Sequence, residues 1–168
     1  MTAEPKFVPE DAVNIALDDK TSISVRLVDC VGYMVEGAIG DTENGEERRV
    51  NTPWSEDEIT MREAAEIGTK KVITEHSTIG IVITTDGSVT DIPRESYIDA
   101  ENRVVNELRA LNKPFILILN SSHPGAPETQ ELREELEAQY GISCVAMNCM
   151  TMQEEDIIDI LKAILNEF

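Results

Sequence analysis

Short apolar runs alternate along this chain with amphipathic stretches, so the hydrophobic period switches between two and about 3.6 residues. Val13–Leu17 and Ser22–Asp29 read as strands. Asp18–Thr21 joins them, and so short a connection makes an antiparallel hairpin. Val35–Ser55 is polar and Gly-bearing, a long loop of the kind that is usually functional or mobile. A helix is expected from Thr60 to His76, with Met61, Ala64, Ala65, Ile67, Val72 and Ile73 as apolar positions and Gly68 weakening its middle. Ile79–Thr85 is nearly all apolar, as in strands buried on both faces. The unit then repeats. A helix over Arg94–Leu111 has Ile98, Val104, Val105, Leu108 and Leu111 on one side, and Pro114 marks its exit. Phe115–Asn120 is a second buried strand. Pro127–Tyr140 is a helix, with Pro127 suited to its first turn and Gly141 to its stop. Ser143–Met147 is a strand and Glu154–Phe168 an amphipathic helix. The sum is an α/β fold: a mostly parallel sheet with flanking helices and right-handed crossovers.

Composition narrows the picture. The 168 residues fit one domain, and 41% hydrophobic with 28% charged residues is a globular balance. A net charge of −19 argues against nucleic acid or anionic lipid as a direct partner and for solubility. No run approaches the ~18 apolar residues of a membrane helix. The first ten residues have neither the basic nor the apolar region of a signal peptide. Cys30, Cys144 and Cys149 lie in or beside apolar strands and read as reduced thiols, without the further ligands a zinc site needs.

The chemistry gathers at strand ends. In an open α/β sheet, ligands bind beyond the carboxyl ends of the strands. Those ends read Asp29-Cys-Val-Gly32, Thr84-Thr85-Asp86-Gly87, Asn120-Ser-Ser-His123 and Asn148-Cys149. An Asp-x-x-Gly at a strand end can order a metal-bound water with its carboxylate and present a backbone N–H to a phosphate. The same residues also make ordinary turns. Asp86-Gly87 reads equally as a tight turn. His76 reads as a helix C-terminal residue favoured by the dipole and His123 as a solvated loop residue. Trp54 reads as a packing residue of the long loop, with base stacking the other reading. Glu128, Glu131, Glu134 and Glu135 read as a solvated face. No Gly-x-x-x-x-Gly-Lys-Ser/Thr occurs in these residues.

The order of the elements is that of a small-GTPase-like domain downstream of its phosphate loop. MTAEPKFVP (Met1–Pro9), VRLVDCVGY (Val25–Tyr33), NTPW (Asn51–Trp54), Glu63–Gly87 and KPFILILNSSHP (Lys113–Pro124) closely resemble the ATPase domain of the stage IV sporulation protein A family, spore-coat morphogenetic proteins. The resemblance covers essentially the whole chain. It implies a fold of the translation-factor-related P-loop class lacking its first strand, phosphate loop and first helix, so that residues 1–168 form a single partial ATPase domain running from the first switch to the last helix. It implies ATP and Mg²⁺ as cofactors. By position Asp29 matches the metal-site aspartate and Gly32 its Asp-x-x-Gly partner. Thr2 matches the first of two switch threonines that sense metal and γ-phosphate, with Ala3 at the second. Asn120 falls where GTPases read the base. His123 stands where a carboxylate would read guanine, which fits ATP use.

Two functions follow from the resemblance. One is an ATPase whose hydrolysis drives self-assembly of the coat basement layer on the forespore surface. The other is a structural assembly module of the coat that hydrolyses nothing. The 168-residue chain alone is expected to be inactive for want of a phosphate cradle, and Ser22–Asp29 and Ile79–Thr85 are expected to lack a central neighbour. Implied partners are other copies of the protein, other spore-coat proteins and a membrane-bound coat anchor peptide. Nucleic acid and membrane insertion are not expected. The implied location is the mother-cell cytoplasm at the outer forespore surface.

Overall fold

Asp18 fixes the first turn. Its Oδ1 accepts the backbone N–H groups of Lys20 (2.7 Å) and Thr21 (2.8 Å), and Leu17 N–H closes onto the Thr21 carbonyl at 2.9 Å. The chain therefore reverses there, and β1 (Lys6–Ala16) pairs antiparallel with β2 (Ser22–Asp29), from Ala16↔Ser22 to Lys6↔Asp29. A computed structural model describes residues 6–167 apart from Ile39, Asp41 and Asn44. These residues fall into two compact units, Met1–Ser77 and Thr78–Phe168.

In the first unit β1 begins at Lys6, seven residues before the periodicity signals a strand at Val13. The pattern fails there because Pro9, Glu10 and Asp11 interrupt it, and the pairing loses register between Val8 and Val13. The stretch expected to be one long loop also holds structure. β3 (Thr42–Glu43) pairs with β4 (Glu46–Glu47), and β5 (Arg49–Val50) pairs with β6 (Ile59–Thr60), both antiparallel. Two-residue strands are too short to give a period, so sequence cannot signal them.

Helix α1 (Met61–Lys71) starts where Thr60 caps it. Glu63 N–H donates to Thr60 Oγ1 at 3.2 Å, and Thr60 N–H donates to Glu63 Oε2 at 2.9 Å, a reciprocal capping box. The helix buries Met61, Ala64, Ala65 and Thr69, but Ile67 stays 36% exposed. It does not continue as an α-helix to His76. Val72–His76 form a wider π turn with Val72 and Ile73 buried. His76 ends that turn and meets the Phe7 ring edge-on at 5.9 Å. The long loop docks on α1 through Trp54, whose ring lies 4.9 Å from Lys71 Nζ.

The second unit is a three-stranded parallel sheet, β7 (Gly80–Thr85), β8 (Phe115–Asn120) and β9 (Cys144–Met147), in that order. A 3₁₀ turn at Arg94–Tyr97 leads into α2 (Ile98–Ala110), which packs on β7. Helix α3 (Pro127–Tyr140) starts with Pro127 and ends at Gly141 in the left-handed conformation, and it packs against β9. Helix α4 (Glu154–Leu165) packs against β8. Ile116, Leu117, Ile118 and Leu119 of β8 are fully buried, and Val105, Leu108, Leu136, Tyr140, Ile160 and Ile164 close over the sheet. This is the α/β architecture expected from the alternation.

Two expectations fail in detail. β7 is not buried on both faces: Val82 and Thr84 are inside, while Ile81 and Ile83 are 38% and 61% exposed. Alternate residues face opposite sides, and an apolar run does not say whether both sides are covered. Ile98 and Leu111, assigned to the buried side of α2, are 38% and 41% exposed because they sit at its ends. Among the described residues β2 pairs only with β1 and β7 only with β8. No helix of the described residues is long and apolar enough to cross a membrane.

Candidate functional site

The first unit carries the Asp-x-x-Gly turn. Asp29 is the last residue of β2, held opposite Lys6, with its side chain exposed. The chain then leaves the hairpin, and Gly32 takes φ 79°. A side chain there would be strained, although no atom lies within 4 Å of the position its Cβ would occupy. The turn thus presents a solvent-facing carboxylate and, three residues on, backbone with open space beside it. Thr2, matched by the resemblance to a switch threonine, lies outside the described residues. Among the described residues no three His, Cys, Asp or Glu side chains converge on a point that could hold a metal ion.

The second unit brings three strand ends into register, Thr85↔Asn120↔Met147. Asn120 closes β8, and its Oδ1 accepts the Cys149 N–H at 3.0 Å. Asn148 Oδ1 in turn accepts the Met150 N–H at 3.0 Å, shaping the 3₁₀ turn Cys149–Thr151. Asn120 therefore ties the loop after β8 to the loop after β9. Met150 projects from that turn, 89% exposed. His123 is exposed too, and its backbone N–H donates to Ser121 Oγ at 3.0 Å.

Asp86, for which the sequence left a tight turn as one of two equal readings, holds more than its own turn. Oδ1 accepts Ser88 N–H (2.9 Å) and Ser88 Oγ–H (2.6 Å). Oδ2 accepts the Thr129 hydroxyl at 3.0 Å from the first turn of α3. Burial pushes the Asp86 carboxyl up, but donors from Ser121, Ser88 and Thr129 outweigh it and hold the group below the usual carboxylate range. Ser88 then grips the loop after β8. Ser122 N–H donates to Ser88 Oγ at 2.8 Å, and Ser122 Oγ donates to the Ser88 carbonyl at 2.9 Å. Sequence reasoning missed Ser88, Ser121, Ser122 and Thr129. The Asp86-x-Ser88 spacing signals a local turn, but nothing in it points to partners more than thirty residues away.

The two places are on different units, Asp29 and Gly32 on the first and Asn120 on the second. Asn120 is bonded to Cys149, and the residues after it are bonded to Ser88, which Asp86 holds. Trp54 and the acidic residues fall elsewhere: Trp54 beside α1, and Glu128, Glu131, Glu134 and Glu135 exposed along α3.

Residues 1–168 match the family described as stage IV sporulation protein A, ATPase domain. The chain is similar to the stage IV sporulation protein A of Clostridioides difficile strain 630, at 55% identity over 168 residues. Those of Bacillus anthracis and Bacillus subtilis strain 168 are 52% and 51% identical over the same length. Each alignment covers 100% of this chain and 34% of the relative, so the chain spans about a third of the length of these proteins. No solved structure matches. A full-length match to the family and identities above one half mean that this chain belongs to the stage IV sporulation protein A ATPase-domain family.

Proposed function

We propose that this chain supplies the metal-facing turn and the base-facing loop of an ATPase that drives assembly of the spore coat. The observation that carries the reading is the turn after β2, where Asp29 stands exposed at a strand end and Gly32 leaves open space beside its backbone. Those residues fit Mg²⁺ with a triphosphate. Mg²⁺ keeps several of its waters and is held by one or two carboxylates plus phosphate, so a lone exposed aspartate suits it better than a cage would. Asp29 would hold the metal's water shell, Thr2 would join it, and Gly32 would leave room for a phosphate oxygen. The metal, when bound, neutralises the charge that develops on the transferring phosphoryl group.

Asn120 is the residue proposed to face the base. Its carbonyl is engaged by Cys149 N–H, so the amide group is held in one orientation. His123 leaves the loop without the carboxylate that would accept from guanine, so no preference for GTP is expected. Hydrolysis would drive self-assembly into the coat basement layer on the forespore surface, in the mother-cell cytoplasm. The proposed partners are further copies of the protein, other coat proteins and a membrane-bound coat anchor peptide.

The test is steady-state phosphate release with Mg-ATP in a full-length context, wild type against Asp29→Ala. The variant should lose most turnover while retaining part of its ATP binding. Unchanged turnover would remove Asp29 from the mechanism. Wild-type protein that assembles without releasing phosphate would favour the structural module. Competition between ATP and GTP completes the test, and a clear GTP preference would mean that Asn120–His123 is not the base-facing loop.

A further inference from the structure

Asp86 lies at the end of β7, outside the residues assigned above to metal or base. Its carboxylate nevertheless organises the loop that Asn120 opens. One oxygen fixes Ser88 through two bonds, at 2.9 and 2.6 Å, and the other takes the Thr129 hydroxyl at 3.0 Å. Ser88 holds Ser122 through both its hydroxyl and its carbonyl. Ser121, with its side chain in the same group of hydroxyls (3.4 Å from both Ser88 Oγ and Thr129 Oγ1), takes the His123 N–H. Every residue from Asn120 to His123 is thus tied down by a hydrogen bond. Asn120 is bound to the β9 side, and the three that follow are bound to the group centred on Asp86.

We infer that Asp86 is a positioning residue for the nucleobase-facing loop Asn120–His123, setting how tightly the base of the nucleotide is held. This rests on the proposed function. The physical reason is that a loop gains affinity when its binding conformation is fixed before the ligand arrives. Without the carboxylate, Ser88 and Thr129 lose their common acceptor, so the Ser88 that holds Ser122 is itself no longer anchored. The residues proposed above for metal and phosphate, Asp29 and Gly32, make none of these bonds, so recognition of the phosphates should not change.

That difference gives the test. Equilibrium binding of ATP is measured in a full-length context for wild type, Asp86→Ala, Asp86→Asn and Thr129→Val. Inorganic tripolyphosphate, which has no base, serves as a competing probe. Asp86→Ala should weaken ATP about tenfold while the tripolyphosphate inhibition constant moves by less than about twofold, as expected when charge-assisted hydrogen bonds that order a loop are lost. Asp86→Asn keeps an acceptor for Ser88 and should fall between. Thr129→Val removes a single bond and serves if Asp86→Ala fails to fold, and it should weaken ATP less but with the same selectivity. Equal weakening of ATP and tripolyphosphate would mean general loosening and would overturn the inference. So would unchanged ATP affinity in folded Asp86→Ala or Thr129→Val. Wild-type protein that binds neither probe would overturn the ATPase reading itself, and the inference with it.

Discussion

Glu101 carries a carboxylate into the interior of the second unit, with its side chain only 2% exposed. Arg94 Nη2 sits 3.0 Å from one carboxylate oxygen and 2.9 Å from the other, and Arg94 Nη1 reaches Thr84 Oγ1 at 3.3 Å. The Tyr140 hydroxyl, 2.8 Å from both Glu101 Oε1 and Asn102 Oδ1, shares its proton between them. Burial first, and then the bond to Glu101, push the Tyr140 phenol far above its usual value, so it remains a donor. Glu101→Gln keeps the shape but leaves the Arg94 charge buried without its counterion. Breaking a buried pair from one side costs about 3 kcal/mol. Urea unfolding should register that loss, and an unchanged midpoint would show that water already solvates Arg94. None of this was legible in the sequence, where Glu101 is one of many acids on an amphipathic helix. Asp86 was half legible. Its turn is written locally, but its bond to Thr129 depends on how α3 docks.

Gly80 shows what an element demands of one position. A Cβ built there would lie 2.9 Å from Leu108 Cδ1 and 3.0 Å from Phe115 Cβ, so helix α2 can approach β7 only over a bare backbone. Gly80→Ala should destabilise by roughly 1–3 kcal/mol, the range for overpacking a close contact. Gly125, with nothing within 4 Å of its Cβ position, should accept alanine within about 0.5 kcal/mol. Thermal melts of the two variants side by side would check this, and equal shifts would refute it. Elements with a long period were legible: α3 runs from Pro127 to Tyr140 as its flanking Pro and Gly indicate. Short or interrupted ones were not. β1 hides behind Pro9 and its acidic neighbours. The π turn at Val72–His76 cannot be told from α-helix, because both bury Val72 and Ile73.

At the scale of the whole molecule, the alternation of strand and helix was legible because each crossover needs its own amphipathic helix. The exposure of β7 was not, since IGIVITT has apolar residues for two faces whether or not both are covered. Ile83 at 61% exposure on a strand with one neighbour, among the described residues, is an open template for pairing. The 168-residue chain expressed alone should therefore self-associate at micromolar concentration. Ile83→Lys should shift it towards monomer in light scattering after size exclusion, and a monodisperse wild-type chain would refute the expectation. The sheet order also has a consequence in time. The hairpin of β1 and β2 closes across one tight turn and can form in about 1–10 μs. β7 must wait for β8, which follows only after α2, with all the chain from Thr85 to Phe115 between them. On a ribosome adding ~5–20 residues per second, that delay is roughly 2–6 s. For those seconds β7 waits without the one strand it pairs with among the described residues, which makes this stretch of synthesis a moment when a chaperone has much to hold.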